Sequence, residues 1–377
     1  MTGLCVCWAI WWELQGFGRF SPPAVLKRLR HSVRWLGLLV GEVQRSRNVR
    51  LEGRPGICLR VMDATAISEP GSLSTDWRVH LCLDLGTGCM TGIQLTDAHG
   101  AEVLTRFATK ADEITVADRG YGHANGMGPV LAAGGQLVVR TSWQNLRLEG
   151  ETGERVGVAE WLSRVRKTPG SGSWERLVWL PTPQGRFRLR LIAYRLPEDK
   201  AEAARRRARK ASRKKGRTVD QRTLVAAGFV LVVSSLPVEL WLPQDVLELY
   251  RIRWQVEIQI KRLKSVFLLD ELRVQAPELA QAYLLGKLLR ALLAEEMAQQ
   301  VMTCHPDWLT DGQRPLNLWT LTQLCWQVLA SMVRGHLSWA IAMATSRRLH
   351  RFLCDTPRKR HSQRWSAHAL LHSKAAC

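Results

Sequence analysis

The stretch ICLRVMD, Ile57 to Asp63, alternates with a period of two. Ile57, Leu59, Val61 and Asp63 share one face of a strand, so an acid closes an otherwise apolar row. The pattern returns in ITVAD, where Ile114, Val116 and Asp118 repeat it.

Outward from these two strands the chain supplies their neighbours. Arg78 to Leu85 and Met90 to Leu95 read as strands joined by the turn-like Gly86–Gly88, a hairpin. A short helix near Glu102–Thr109 follows, and after Gly134-Gly135 a fifth strand runs from Gln136 to Arg140. Three strands, a helix, a strand, a helix and a strand predict an α/β fold: a mixed five-stranded sheet that begins with an antiparallel hairpin. In such a sheet Asp63 and Asp118 end neighbouring strands.

Past Arg140 the character changes for about 100 residues, more than any simple connection needs. Arg186 to Tyr194 and Gly228 to Val233 read as strands, and between them DKAEAARRRARKASRKKGR carries ten cations from Lys200 to Arg217. Its alanines favour a helix that cations surround entirely. Such a run is either a solvated spacer or a contact for the DNA backbone, and repulsion among like charges favours the contact. A long helix is expected from Gln244. Residues 278–350 read as mostly helical and apolar, and PRKRHSQRW from Pro357 as a basic tail. Residues 1–50 look helical: Pro22 and Pro23 punctuate a start, and Leu26, Leu29, Val33 and Leu36 fall on one side.

The helix after Gln244 contains YRIRWQVEIQIKRLK, Tyr250 to Lys264. At ~100° per residue Tyr250, Arg253, Glu257 and Lys264 fall in a stripe about 60° wide. A carboxylate with two cations and a phenol suits a metal ion beside a phosphodiester; the plainer reading is a solvated face with ordinary i,i+4 pairs such as Arg253–Glu257. If this helix crosses the sheet, Glu257 joins Asp63 and Asp118. Three carboxylates converging from distant positions are what a pair of magnesium ions needs.

Bulk composition narrows the partners. Fifty-four Lys plus Arg against 33 Asp plus Glu leave a formal charge of +21, which points to a polyanion, with nucleic acid ahead of an anionic membrane surface. No apolar run approaches the ~20 residues that cross a bilayer. Leu4 to Trp12 is apolar but short and has no basic residue before it, a poor signal peptide. The expected location is therefore cytoplasmic and nucleoid-associated, without a membrane partner. Nine cysteines, an odd number without CxxC spacing, argue against both a disulfide framework and a zinc site.

Together these residues resemble a known family. Tyr250, Arg253, Glu257 and Lys264 match the Tyr-x2-Arg-x3-Glu-x6-Lys signature of bacterial insertion-sequence transposases with a DDE catalytic site. MDATAISEPGSLSTDWRVH (Met62–His80) is similar to the segment around that family's first acid, ADRGY (Ala117–Tyr121) to the second, and YRIRWQVEIQIKRLKS (Tyr250–Ser265) to the third. The spacings agree: 118 − 63 = 55 between the aspartates and 257 − 118 = 139 to the glutamate, room for an insertion.

The resemblance implies a ribonuclease H-like core interrupted by a mostly β insertion domain, with helical N- and C-terminal regions. The core would occupy residues 51–145 and 244–300, the insertion with its basic helix residues 146–243, and the C-terminal region and tail residues 301–377. Asp63, Asp118 and Glu257 would be catalytic and would bind two Mg²⁺ ions, for which Mn²⁺ can substitute. Tyr250, Arg253, Lys261 and Lys264 would hold the DNA backbone at the transposon end, with Arg119 and Arg140 as further contacts. Phe229 would stack on a base flipped from that end. The implied activity is metal-dependent cleavage and strand transfer at terminal inverted repeats, by a homodimer on double-stranded DNA. A nuclease without strand transfer and an inactive DNA-binding relic are the alternatives. The family carries a longer helical region for repeat recognition than residues 1–50, which read as a truncated DNA-binding domain.

Overall fold

Strands that alternate in sequence alternate in space. β1 (Leu59–Ile67), β2 (Trp77–Asp84) and β3 (Cys89–Asp97) form an antiparallel meander, and β4 (Ile114–Ala117) and β5 (Gln136–Thr141) continue it on the other side of β1 in parallel. These come from a computed structural model that describes residues 18–51, 58–168, 172–305 and 317–335, with Ile10, Glu13, Leu14, Gly16, Ser338, Ile341 and Leu353. Ile57, the apolar stretch at the start apart from Ile10, and the basic tail lie outside the described residues.

The sheet does not stop at five strands. Its order is β3-β2-β1-β4-β5-β8-β7-β6, with β6 (Ser173–Thr182), β7 (Gly185–Arg195) and β8 (Phe229–Ser234) all antiparallel to their neighbours. The three strands of the expected insertion therefore form no sheet of their own. β8 pairs along the outer edge of β5, from Val138↔Ser234 to Thr141↔Leu231, and satisfies backbone groups that an edge strand would expose. Nor are residues 146–243 mostly β: they also hold three helices, Val158–Lys167, Glu198–Lys214 and Gln221–Ala226.

In chain order the described α-helices are α1 (Pro22–His31), α2 (Val33–Leu51), α3 (Ala124–Ala132), α4 (Val158–Lys167), α5 (Glu198–Lys214), α6 (Gln221–Ala226), α7 (Pro243–Ile252), α8 (Trp254–Phe267), α9 (Pro277–Cys304) and α10 (Leu318–Val333). Three expected helices differ in the structure. The N-terminal helix is split at Ser32, and Leu29 is exposed while Leu26, Val33 and Leu36 pack inward. The long helix after Gln244 is split at Arg253 into α7 and α8, through two tight i→i+3 bonds, Arg253 N–H to Tyr250 O and Val256 N–H to Arg253 O. The predicted helix near Glu102 is a single 3₁₀ turn, Leu104–Arg106.

Each face of the sheet has its own core. Leu59, Val61, Val79, Leu81, Val116 and Val138 point to one side, against α7, α8 and α9. Met62, Cys82, Leu137, Val139, Leu189 and Leu191 point to the other, against α3 and α4. Burial on both faces means that both alternating sets of each strand, and not one face alone, are covered. One buried ion pair ties the N-terminal region to the rest: Arg47 of α2 pairs with Glu295 of α9, which also accepts from the Met90 backbone N–H and Gln259. Among the described residues no helix is long and apolar enough to cross a membrane.

Candidate active site

Register brings the two aspartates together. The last parallel pair of β1 and β4 is Met62↔Ala117, and that of β4 and β5 is Ala117↔Val139. One step further along the three strands stand Asp63, Asp118 and Arg140. Strand alternation puts this row on the face of Val61, Val116 and Val138, the face that α8 covers. Asp63 does not end its strand, since β1 runs on to Ile67 against β2, but it stands just past the last β4 pair. Asp118 caps the turn Arg119–Tyr121, its Oδ1 accepting from Gly120 N–H at 2.6 Å. Parallel strands deliver both side chains to their carboxyl ends, where open α/β sheets place their sites.

The third carboxylate comes from the helix. Glu257 lies in the first turn of α8, and Arg253, between α7 and α8, joins the two sources. Its Nη1 donates to Asp63 Oδ2 at 3.1 Å and its Nη2 to Glu257 Oε1. The Tyr250 ring lies 5.9 Å from the guanidinium carbon. Although desolvation works against the charge, Tyr250, Glu257 and Asp63 hold the Arg253 pKa above its ordinary value.

Charge is under-compensated at Asp63. Burial above all pushes its pKa up to about 6; the carboxylates of Asp118 and Glu257 add to the rise, against the Ala64 N–H bond and Arg253. The Tyr121 phenol is buried beside Asp63, Glu102 and Asp118, and its pKa is also raised, by burial first.

Glu102 is the residue that the sequence reading missed. It lies in the loop after β3, and a Cβ on Gly120 would stand 2.1 Å from its Oε2. Burial raises its pKa, Arg78 at 3.6 Å opposes, and Asp118 adds to the rise. The only local signal for this approach is the glycine two residues after Asp118.

The other expected positions divide. Arg119 and Arg140 are exposed beside Asp118 and at the end of the row. Lys261 is exposed, its ammonium 4.6 Å from the Trp254 ring centre, and Lys264 stands 3.8 Å from Asp270 one turn beyond. Arg253, expected on a DNA backbone, pairs with Asp63 and Glu257 in the DNA-free chain. Phe229, expected to stack on a flipped base, is 6% exposed at the start of β8 and packs in the core against β7 and its surroundings, the plainer role of a strand phenylalanine.

Among the described residues no three His, Cys, Asp or Glu side chains stand together as a metal-holding group. Arg253 fills the position between Asp63 and Glu257 that a cation would share. The donor set nevertheless fits a hard divalent ion: carboxylate oxygens without sulfur or imidazole, and a raised Asp63 that more positive charge would relieve.

Comparison with known proteins gives the family. The family model described as the transposase DDE domain matches residues 54–293. The transposase for insertion sequence element IS421 of Escherichia coli is 38% identical over 302 residues, covering 78% of this chain and 81% of the relative. The InsL protein of insertion sequence element IS186A, from Escherichia coli (strain K12), matches with the same identity and coverage. The transposase for IS231F of Bacillus thuringiensis subsp. israelensis is 33% identical over 105 residues, 28% of this chain and 22% of the relative. With a family model matching residues 54–293, and two relatives 38% identical and matched over 81% of their length, the chain belongs to the DDE transposase family.

Proposed function

We propose that this transposase binds the terminal inverted repeats of an insertion sequence, cleaves the DNA strand at the element boundary and joins the new 3′ end to target DNA. The observation that carries the reading is the row Asp63–Asp118 at the ends of two adjacent parallel strands, with Glu257 tied to it through Arg253. The core would be ribonuclease H-like, in residues 51–145 and 244–300, with residues 146–243 as its insertion.

Asp63, Asp118 and Glu257 would hold two divalent ions, Mg²⁺ with Mn²⁺ as substitute, which supply Lewis acidity to activate the attacking water or 3′-hydroxyl and to stabilise the leaving oxygen. Phosphoryl transfer spreads charge over the equatorial oxygens, so positioned cations lower its barrier. Arg253 stands nearest the acids, and its fork suits a bidentate hold on a phosphate. Lys261 and Lys264 follow it along α8, Tyr250 donates a phenol, and Arg119 and Arg140 flank the row on the strand side. Two transposon ends must meet in one complex, which favours a homodimer on DNA.

The test uses purified protein and a labelled duplex carrying the DNA that flanks the gene. Mg²⁺-dependent nicking at the boundary and joining of the 3′-hydroxyl to a plasmid, both lost in Glu257→Gln, are the expected result. Cutting without joining would turn the reading to a nuclease, and binding without cleavage to a relic.

A further inference from the structure

The run of cations between β7 and α6 is two-sided, not surrounded by charge. Ala201 of α5 is buried, and Ala204, Arg205, Ala208, Arg209 and Ser212 are half-buried. Arg205 pairs with Glu198 and Glu202, and Arg209 with Glu202, so that flank neutralises itself. On the opposite side Arg206, Arg207, Lys210, Arg213 and Lys214 are exposed. At ~100° per residue they fall within an arc of about 120°. The ion pairs and hydrogen bonds of the described residues include none of these five side chains.

Topology puts this face beside the acids. β7 ends at Arg195, which pairs with Phe229 at the start of β8. β8 in turn runs antiparallel to β5, with Thr141↔Leu231. The end of β7, and with it the start of α5 at Glu198, therefore lies on the sheet edge that carries Asp63, Asp118 and Arg140. The separation from β4 is three strand steps, ~14 Å at ~4.8 Å each.

We propose that the outward face of α5 is a second binding surface, independent of catalysis, for the phosphate backbone of double-stranded DNA that continues past the cleavage point. The choice of duplex DNA as the polyanion rests on the transposase reading above. Like charges packed on one face of a helix repel until an anion lies along them, and B-DNA offers one charge per ~1.7 Å of axis. The five cations make no base-reading constellation, so the surface grips backbone and is insensitive to sequence. A lipid surface fits less well: a membrane-bound helix needs an apolar face free for the bilayer, and the apolar side of α5 is turned to the protein.

The experiment compares the full chain with a variant carrying Arg206→Gln, Arg207→Gln, Lys210→Gln, Arg213→Gln and Lys214→Gln. Binding of a fluorescent duplex of unrelated sequence is followed by anisotropy through a salt titration in EDTA. The expected result is a weakening of at least ~10-fold and a log–log salt slope shallower by about 3 to 4.5, at ~0.9 for each phosphate no longer neutralised. The melting temperature should not fall, because none of the five takes part in an ion pair or hydrogen bond among the described residues and their removal relieves like-charge repulsion. An unchanged slope would overturn the proposal, as would loss of binding to anionic phosphatidylserine vesicles with duplex binding intact. Nicking assays on the unmodified protein separate the two claims. A changed slope without nicking keeps this surface and removes the catalytic reading; nicking and joining with an unchanged slope do the reverse.

Discussion

Arg253 Nη1 donates to Asp63 Oδ2 at 3.1 Å, although 190 positions separate the two in the chain. The same guanidinium also holds Glu257, so one cation balances two of the three acids. Removing it leaves like charges facing each other with little solvent. We expect Arg253→Gln to lose about 1–3 kcal/mol of stability in EDTA, less than the 3–5 kcal/mol of a fully buried pair because all three groups keep some exposure. Mn²⁺ should raise the melting temperature of the variant more than that of the unmodified chain. Equal melting temperatures in EDTA would show that Arg253 does not balance the acids.

The acids were legible in sequence because their placement is local. Asp63 and Asp118 each close a period-two row, and Glu257 sits on a helix with a recognisable spacing. What Arg253 touches was not legible, because spacing along a helix gives the side of a side chain and not its partner across the fold. The joining of β8 to β5 was hidden for a similar reason: edge pairing depends on which backbone is left open after folding, not on the residues of either strand. Glu102 escaped because its position depends on the course of a loop. The basic run reads as charged all round in sequence because burial of Ala201 depends on what the helix packs against.

Gly120 keeps Glu102 close to Asp118. A Cβ there would meet Glu102 Oε2 at 2.1 Å and Asp118 Oδ1 at 3.1 Å. The end of a glutamate swings aside cheaply, so Gly120→Ala should cost no more than about 1 kcal/mol of stability. The surroundings of Asp118 nevertheless change by the scale of a misplacement near 1 Å, which predicts a 10- to ~100-fold fall in kcat for nicking with KM for duplex DNA unchanged. Nicking at the normal rate would remove Glu102 from consideration as a neighbour that matters.

His80 should make the fold acid-sensitive. It is fully buried on β2, with Nε2 3.0 Å from Thr96 Oγ1 and Nδ1 without a hydrogen-bond partner. Burial first, then Arg106 and Arg78, bring its pKa down from 6.5 to about 4. The folded chain therefore binds this proton less readily than the unfolded one, and the contribution to stability is complete above pH 6.5 and lost as pH falls toward 4. Its full size is about 3 kcal/mol, at ~1.36 kcal/mol for each pH unit between the two values. Urea unfolding between pH 7.5 and 5 should show a smaller loss in His80→Asn than in the unmodified chain. Parallel pH profiles would mean that the imidazole is protonated inside the fold or that solvent reaches it.

The Arg47–Glu295 pair is where the N-terminal helices are fastened to the core. Arg47 Nη1 also donates to the Met90 carbonyl and Nη2 to the Leu292 carbonyl, so the guanidinium bridges α2, β3 and α9. Both side chains are almost fully shielded, at 3% and 8% exposure. Burying such a pair adds little by itself, but breaking it strands a charge. Glu295→Ala would leave Arg47 with Glu296, at 3.6 Å, as its remaining carboxylate among the described residues, beside the two carbonyls, and would remove the acceptor of the Met90 N–H as well. The expected cost is about 3 kcal/mol, the lower end of the range for a broken buried pair, measured as a fall in the urea midpoint. Arg47→Met should cost less than Glu295→Ala, because Glu295 lies where burial already raises its pKa and can take up a proton once its partner is gone. That asymmetry should vanish when unfolding is measured at high pH, where the unpaired carboxylate stays charged. If Arg47→Met were instead as costly as Glu295→Ala at neutral pH, Glu295 would be staying ionised without its partner, held by the Met90 and Gln259 donors and the charge of Arg262.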